Sequence, residues 1–352
     1  MLNLDTCGIE VSAKVLLVRL RRNGQVLPHR SFPNTPAGHR DLVRFVRGPR
    51  GVQICMEATG TYGLDLALAL NQVPDVRLMV VNPKAMRRFA EALLQRSKTD
   101  LLDVAVIEEF ACRMPFKPWC APAPHILQLR ALSRRLQEIA SQRTAEKNRL
   151  HATHATDSTP QALRLDIERS LEFLQQAHKN LLRTALELLE QDPVLARRYQ
   201  LLLSVKGIGS LSAVMILAEL SPLAPDLTAP QWVAFAGLDP RRYQSGSSVD
   251  RKPRLSKAGN PHLRRALYMP ALTAVRRDPA FATFYKKLLE RGKRPLQALC
   301  AAMRKLLHAI YGMFRHNLPF DPTRLFAFAL PEIPQAALAQ PAEAIYCGGP
   351  LT

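Results

Sequence analysis

Short apolar runs alternate with amphipathic stretches in the first third of the chain. An apolar stretch over Gly8–Leu20, a turn at Asn23-Gly24 and a second extended stretch predict a β-hairpin. Two further apolar runs, Val52–Met56 and Val76–Val81, are typical of buried strands, and helical patterns follow both. The predicted helices cover residues 64–70, 83–94 and 100–111.

A hairpin followed by strands that alternate with helices predicts a mixed α/β domain, and a ribonuclease-H-like sheet has this element order. A Pro-rich segment, 115–124, ends this domain. Beyond it, apolar residues recur at helical spacing over 126–139 and again over 163–189, with a polar segment, 151–160, between them. The two stretches predict an antiparallel helical pair or a coiled coil.

The chain is predicted to be helical again from Leu201, with one long loop over 237–261 that is rich in Gly, Ser, Arg and Pro. Before that loop, residues 204–220 resemble a helix-hairpin-helix, whose Gly207-Ile208-Gly209 turn would aim backbone N–H groups at a phosphate. The predicted organisation is an α/β domain over 1–120, a coiled-coil arm over 121–200, an all-α domain over 201–325 and an Ala/Pro-rich tail over 326–352.

The net charge of the chain indicates the class of partner that it binds. The 352 residues carry 49 Lys and Arg against 29 Asp and Glu, a formal charge of +20. Residues 1–112 contribute a net +4 and residues 237–315 a net +14, so the C-terminal helices are the predicted main contact with nucleic acid. No apolar run has the length of a membrane span, and the six scattered cysteines have no zinc spacing. We expect a soluble cytoplasmic protein with no membrane partner, associated with the nucleoid.

Four carboxylates of the α/β domain are candidate metal ligands. Glu10 lies inside a predicted strand, where burial of a carboxylate is costly unless a cation or a partner compensates. Asp100 and Asp103 share one face of a helix, and Glu57 follows a strand. Together they would form an oxygen-only cluster suited to two Mg²⁺ ions. Helix capping by Thr99 and Asp100, and a surface-loop position for Glu57, explain three of these acids without metal.

The Gly/Ser-rich loop is the second candidate site. Ser245 lies beside Gly246, where the backbone can approach a phosphate, and Ser247 and Ser248 follow it. A serine attacks DNA only when another group takes its proton, so a loop that merely donates hydrogen bonds to phosphates is the alternative. The candidate nucleic-acid-binding residues are Lys206, Arg241, Arg242, Arg251, Lys252, Arg254, Lys257, Arg264 and Arg265.

An ordered series of motifs covers nearly the whole chain and resembles one family. That family is the DEDD transposases of insertion sequences that work with a bridge RNA, which are related to Piv-type DNA invertases. The resemblance implies a RuvC-like ribonuclease-H domain, a coiled-coil arm and a helical domain with a serine in an SG motif. The motifs, in order, are GIEVSAK, CMEATGTYG, VVNPKAMRRFA, KTDLLDVA, SVKGIG, FAGLDPRRYQSGSS and KAGNPHLRRALY.

The resemblance also implies a mechanism. Ser245 would attack DNA to form a phosphoserine link, and a Mg²⁺-binding tetrad of Glu10, Glu57, Asp100 and Asp103 would activate it. The first acid is Glu where Asp is typical of the family. The implied partners are double-stranded DNA at the element ends and target, a bridge-type guide RNA, and further copies of the chain in a dimer or tetramer.

Two alternatives remain beside the recombinase. A RuvC-like junction nuclease would use the acids for hydrolysis and would need no serine. A catalytically inactive nucleic-acid-binding relic, with its metal site spoiled at Glu10, would bind without strand chemistry.

Overall fold

The computed structural model describes residues 4–58, 60–97, 99–155, 158–246 and 249–325, without the side chains of 250–252. The chain forms two compact units that divide between Pro122 and Ala123. Within the described ranges, no helix is long and apolar enough to cross a bilayer.

The first unit is a mixed sheet with helices. Its strand order is β3-β2-β1-β5-β6, and β4 pairs with the free part of β2. The pairs β1–β5 and β5–β6 are parallel, and the other pairs are antiparallel. The strands are β1 (Asp5–Val11), β2 (Val15–Arg22), β3 (Gln25–Val26), β4 (Arg30–Pro33), β5 (Val52–Glu57) and β6 (Val76–Val81). The helices are α1 (Pro36–Val46), α2 (Leu64–Asn71), α3 (Pro83–Ala92) and α4 (Asp100–Arg113).

Helices cover both faces of this sheet. Alternate residues of β1 and β5 point to opposite faces, so each strand contributes to two apolar cores. Cys7, Ile9 and Val11 pack with α1 and α2 in one apolar core. On the other face, Cys55 packs with α3 and α4. Helix α4 lies directly on β1 at Gly8, where an added Cβ would be 2.5 Å from the Glu108 backbone nitrogen. Glycine at this position therefore sets how closely α4 approaches the strand.

The second unit is helical, and its core is formed largely by three helices, α8, α10 and α12. Two 30-residue helices, α5 and α6, pack against each other. A two-stranded antiparallel sheet, β7–β8, is inserted between α9 and α10. The helices are α5 (Pro124–Thr153), α6 (Gln161–Glu190), α7 (Pro193–Leu203), α8 (Ser210–Leu220), α9 (Ala229–Ala236), α10 (Pro261–Arg277), α11 (Pro279–Glu290), α12 (Pro295–His316) and α13 (Pro322–Leu325). The strands are β7 (Pro240–Ser245) and β8 (Val249–Leu255).

Most predicted elements are confirmed, and two predictions are wrong. The predicted single strand over Gly8–Leu20 is two strands, β1 and β2, joined by a turn in which Ser12 Oγ accepts from Val15 N at 3.1 Å. The predicted turn at Asn23-Gly24 joins β2 to β3. The predicted loop over 237–261 contains the β7–β8 hairpin. The predicted tail from 326 onward lies outside the described residues.

Helix α1, and most of α7, go beyond the predicted elements. Helix α1 begins at Pro36, and Thr35 caps it by accepting from Gly38 N at 3.3 Å. A Thr-Pro pair before an apolar repeat is the helix-start signal that could have revealed it.

Candidate functional site

Two of the candidate acids are neighbours at the carboxyl ends of adjacent parallel strands. Ile9 of β1 pairs with Met56 of β5, so Glu10 and Glu57 are the next residues along the two strands. Both fall on the sheet face that α4 covers, because side chains alternate along a strand. Glu10 is half-buried, and its Oε2 atom is shielded from solvent. Chain topology therefore brings together two carboxylates that are 47 positions apart in the sequence.

The other two acids lie in the first turn of α4. Thr6 Oγ1 donates to Glu108 at 2.9 Å, and Gly8 lies against Val104, so α4 runs antiparallel to β1. The start of α4, with Asp100 and Asp103, therefore lies toward the strand end that carries Glu10. Thr99 also caps this helix, since its Oγ1 accepts from Leu102 N at 3.3 Å. Thr99 therefore supplies the side-chain cap, and Asp100 and Asp103 lie in the first turn, where a negative charge also favours the helix dipole.

A cavity of about 510 Å³ joins members of the two acid pairs. Glu57 and Asp103 both line it, together with Glu91 and Arg96. The thiol of Cys55, on the same sheet face, has its pKa raised to about 12 by burial and, secondarily, by the charge of Glu57. The Cys55 thiol is therefore neutral at neutral pH.

The four acids have the right ligand atoms for a divalent cation, but their side chains are not grouped closely around one point. Carboxylate oxygens are the ligands that Mg²⁺ prefers, and Glu57 and Asp103 face one cavity with Glu10 on the adjacent strand. Within the described residues, however, no three His, Cys, Asp or Glu side chains are grouped closely enough to hold a metal ion. The structure brings the acids to one region of the sheet and does not close them into a single cluster.

A buried glutamate outside the predicted site residues fixes α4 on the sheet. Glu108 is fully buried, and the Arg21 guanidinium donates to it at 2.7 and 2.9 Å from β2. Arg21 also pairs with Glu109 at 2.6 Å. A buried carboxylate needs such a partner to offset its desolvation. The available signal was a charged residue inside the apolar run VAVIEEFA.

The serine hairpin, residues 240–255, carries the second candidate site. Ser245 is the last residue of β7, is exposed, and pairs with Val249 of β8. Gly246 follows with φ +56, a left-handed conformation that glycine adopts without strain. Ser247 and Ser248 lie outside the described residues. Ser245 and the four acids belong to different units of the chain.

The base of the serine hairpin is anchored by a short set of hydrogen bonds. Ser256 donates to Asp239 through its backbone N at 2.9 Å and through Oγ at 2.5 Å. Lys257, at φ +50, donates its backbone N to Gly237 O at 3.2 Å. Asn260 N donates to Phe235 O at 2.6 Å. The exposed tip thus projects from a fixed base.

The predicted nucleic-acid-binding residues fall into different environments. Arg241 and Arg254 are exposed and lie opposite each other on the serine hairpin. Arg264 donates to Ala236 O at 2.9 Å, so one of its N–H groups is used within the fold. Arg265 donates to Ser141 Oγ. Lys206, Arg242 and Lys257 are exposed, and the side chains of Arg251 and Lys252 lie outside the described residues.

A second buried glutamate links helix α5 to the residue before α10. Glu219 of α8 is 1% exposed and accepts from Arg134 at 3.0 and 3.3 Å. Asn260, which also caps α10, donates to Glu219 at 2.6 Å, and Arg130 lies 3.4 Å away. Burial alone would raise the pKa of Glu219, but the bonds from Arg134 and Asn260 and the two arginine charges hold it below 4.5.

Comparisons with known proteins define the class. Residues 7–155 match the DEDD transposase family of IS110 type, and residues 199–286 match the "Transposase IS116/IS110/IS902 family". The chain is therefore a DNA-processing enzyme of the transposase and recombinase class. Its two matched regions are transposase domains of IS110 type, and the mixed N-terminal sheet with many helices is consistent with a ribonuclease-H-like DEDD transposase.

Individual relatives agree with this assignment. The chain is 28% identical to the pilin gene-inverting protein of Moraxella bovis over 299 residues, which cover 83% of this chain and 90% of that protein. The corresponding protein of Moraxella lacunata is also 28% identical. An uncharacterised 43.6 kDa protein of insertion element IS110 from Streptomyces coelicolor is 32% identical over 122 residues, 34% of this chain and 29% of that protein.

Proposed function

We propose that this transposase breaks and rejoins DNA through a serine nucleophile, Ser245, with the help of the acids in the sheet. One observation carries the proposal. Glu57 and Asp103 line a single cavity at the sheet edge, and an exposed serine lies at the tip of a basic hairpin in the other unit. An acid site and an accessible hydroxyl are the two parts that this chemistry requires.

The acids are proposed to hold Mg²⁺, as two ions, through Glu57 and Asp103 with Glu10 and Asp100. Bound Mg²⁺ would supply stabilisation of the negative charge that develops on the phosphate and on the leaving oxygen. Ser245 Oγ would form a bond to phosphorus, the bond from phosphorus to one deoxyribose oxygen would break, and that oxygen would take up a proton. Attack by a hydroxyl of another strand would then break the phosphoserine bond. Since each step exchanges one phosphodiester for another, no high-energy cofactor is consumed.

The helical unit supports the partners that the proposal includes. The exposed Arg241 and Arg254 would neutralise phosphates of double-stranded DNA beside Ser245. Helices α7 and α8, joined by a turn at Gly207, would form a helix-hairpin-helix. We propose that α5 and α6 form a coiled-coil arm through which copies associate as a dimer or tetramer, and that a bridge-type guide RNA selects the DNA. The relatives named for gene inversion support site-specific recombination, and we propose that it takes place at the nucleoid.

Covalent trapping tests the proposal. Purified protein, flanking noncoding RNA and labelled element-end DNA are incubated with Mg²⁺ and separated on a denaturing gel. We expect a protein–DNA adduct in the wild type that is lost in Ser245→Ala and in Asp103→Asn. The matched control is Glu91→Gln, a carboxylate of the same cavity outside the proposed tetrad, which should keep the adduct. Ser247→Ala and Ser248→Ala should also keep it.

Other outcomes would contradict the proposal in distinct ways. Cleaved DNA without an adduct, unchanged in Ser245→Ala, would indicate a hydrolytic junction nuclease. Tight DNA binding with no Mg²⁺-dependent reaction would indicate an inactive binding protein. An adduct that persists in Ser245→Ala and is lost in Ser247→Ala would identify Ser247 as the nucleophile.

A further inference from the structure

A basic cavity lies in the helical unit, between the turn before α8 and the last turn of α10. It has a volume of about 780 Å³ and is lined by Lys206, Gly207, Thr273, Arg276 and Arg277. All three charged residues are cations, and among the described residues no carboxylate joins this lining. The turn and α10 are separate from the serine hairpin in sequence, and the described lining includes none of the hairpin residues.

The three cations are available to a ligand. Lys206, Arg276 and Arg277 are exposed, and none of them pairs with a carboxylate within the part of the chain that the structure describes. The nearest acid in sequence, Asp278, is buried and caps α11 by accepting from Ala280 N at 3.0 Å. Three positive charges around one concavity repel each other, and an anion relieves that repulsion.

Close packing of the backbone at Gly207 determines the position of this cavity. Gly207 has φ +113, and a Cβ there would be 2.8 Å from Pro270 O and 3.1 Å from Ala274 N. Only glycine allows the turn to lie this close to α10. Lys206, the preceding residue, is thereby held beside the helix whose last turn carries Arg276.

We propose that this cavity binds backbone phosphates of a nucleic-acid strand, at a position separate from the serine hairpin. The Lys ammonium and Arg guanidinium groups donate to phosphate oxygens, and the Thr273 hydroxyl adds a neutral donor. Contacts to phosphate oxygens carry no sequence information, so we expect binding here to be independent of sequence. The inference rests on the proposed function for its partner, and it adds a second contact that would hold DNA or RNA while Ser245 reacts.

Equilibrium binding to labelled duplexes of arbitrary sequence tests this site. The full-length protein is titrated at several salt concentrations with duplex DNA and with duplex RNA of the same sequence. The variant is Lys206→Gln with Arg276→Gln and Arg277→Gln. The matched control, Arg40→Gln with Lys117→Gln and Lys293→Gln, removes the same charge from exposed cations outside the cavity and outside α5 and α6. Circular dichroism confirms that each variant is folded, and the single variant Arg276→Glu serves if the triple variant is not.

We expect the cavity variant to bind more weakly than the control on every sequence. The slope of log affinity against log salt should fall by about 0.9 for each phosphate that the variant no longer neutralises. Weaker binding of DNA alone, of RNA alone, or of both identifies the strand that occupies the cavity. Equal affinity and equal slope in the cavity and control variants would overturn the proposal while leaving the serine chemistry standing. A wild type that binds neither duplex would overturn both.

Discussion

The two units each bury one glutamate on a helix and surround it with arginines, but they do so in different ways. In the first unit, Glu108 of α4 is held mainly by Arg21, since Arg19 lies 4.0 Å away. In the second unit, Glu219 of α8 is shared among Arg134, Arg130 and Asn260. The first carboxylate has one close arginine besides the hydroxyl of Thr6, whereas the second has two arginines within 3.4 Å besides the amide of Asn260.

This difference determines what each carboxylate controls. Glu108 and Arg21 connect α4 to β2, so they fix the helix that carries Asp100 and Asp103. Glu219 connects α5 to Asn260, whose backbone N bonds to Phe235 at the base of the serine hairpin. The first network positions the helix that carries two of the candidate acids, and the second connects α5 to the base of the serine hairpin.

The largest expected difference between the two networks is in the unfolding free energy that is lost when the main arginine of each is removed. Arg21→Met leaves the Glu108 carboxylate buried beside Thr6 and the distant Arg19, which should cost about 3–5 kcal/mol of unfolding free energy. Arg134→Met leaves Glu219 with Arg130 and Asn260, so the cost should be about 1.5–3 kcal/mol. Urea unfolding of both variants measures the difference.

Arg87→Met is the control for this pair of variants, because Arg87 is 82% exposed and pairs with Glu91 one turn further along α3. Its change should stay within about 0.5 kcal/mol. Equal losses in Arg21→Met and Arg134→Met would show that the number of partners does not decide how much each network contributes.

A smaller loss should follow from pushing α4 away from the sheet. In Gly8→Ala the new Cβ meets backbone atoms, Glu108 N at 2.5 Å and Val104 O at 2.8 Å, which cannot rotate aside. Overpacking of this kind costs about 1–3 kcal/mol. The DNA adduct should be lost as well, since Asp103 moves with the helix.

Gly312→Ala is the matched control for Gly8→Ala. Gly312 lies in α12, and a Cβ added there meets open space within the described part of the chain, so alanine should stabilise the helix by about 0.5–1 kcal/mol. If Gly8→Ala proved as stable as the wild type, the close approach of α4 to β1 would not be what positions the acids.

Part of this architecture could be predicted from the sequence, where burial leaves a strong pattern. Strands β5 and β6 are short, mostly apolar runs, and Thr99 caps the start of α4, so their predicted positions are close to the observed ones. The turn between β1 and β2 escapes prediction because Ser12-Ala13-Lys14 contains no Gly, Pro or Asn. The serine hairpin escapes it because β7 is exposed along its whole length, and an exposed strand has no apolar alternation.

The candidate site was predictable in its residue types and not in its arrangement. Glu10 stands out as an acid within an apolar strand, but its adjacency to Glu57 follows from the parallel pairing of β1 with β5, which a single sequence does not specify. Arg264 groups with the phosphate contacts by its charge, and only the structure shows its bond to Ala236 O. The four-acid site and the serine nucleophile remain predictions that the trapping experiment tests.

The smallest expected effect is a dependence on pH in the second network. The pKa of Glu219 lies below 4.5 in the folded protein, because its hydrogen bonds and the neighbouring arginines outweigh burial. In the unfolded chain this carboxyl has an ordinary pKa, so at acidic pH the unfolded state takes up its proton first. The stability that ionised Glu219 contributes is therefore complete above the unfolded pKa and is lost as the pH falls through the folded pKa.

In Glu219→Gln that contribution is absent at every pH, while the other carboxyl groups are common to both proteins and cancel in the difference. Urea unfolding between pH 7 and the acid limit should show the gap between wild type and variant narrowing below about pH 4.5. If the difference in unfolding free energy between wild type and variant stays constant across this range, the charge of Glu219 does not stabilise the connection between α5 and the base of the serine hairpin.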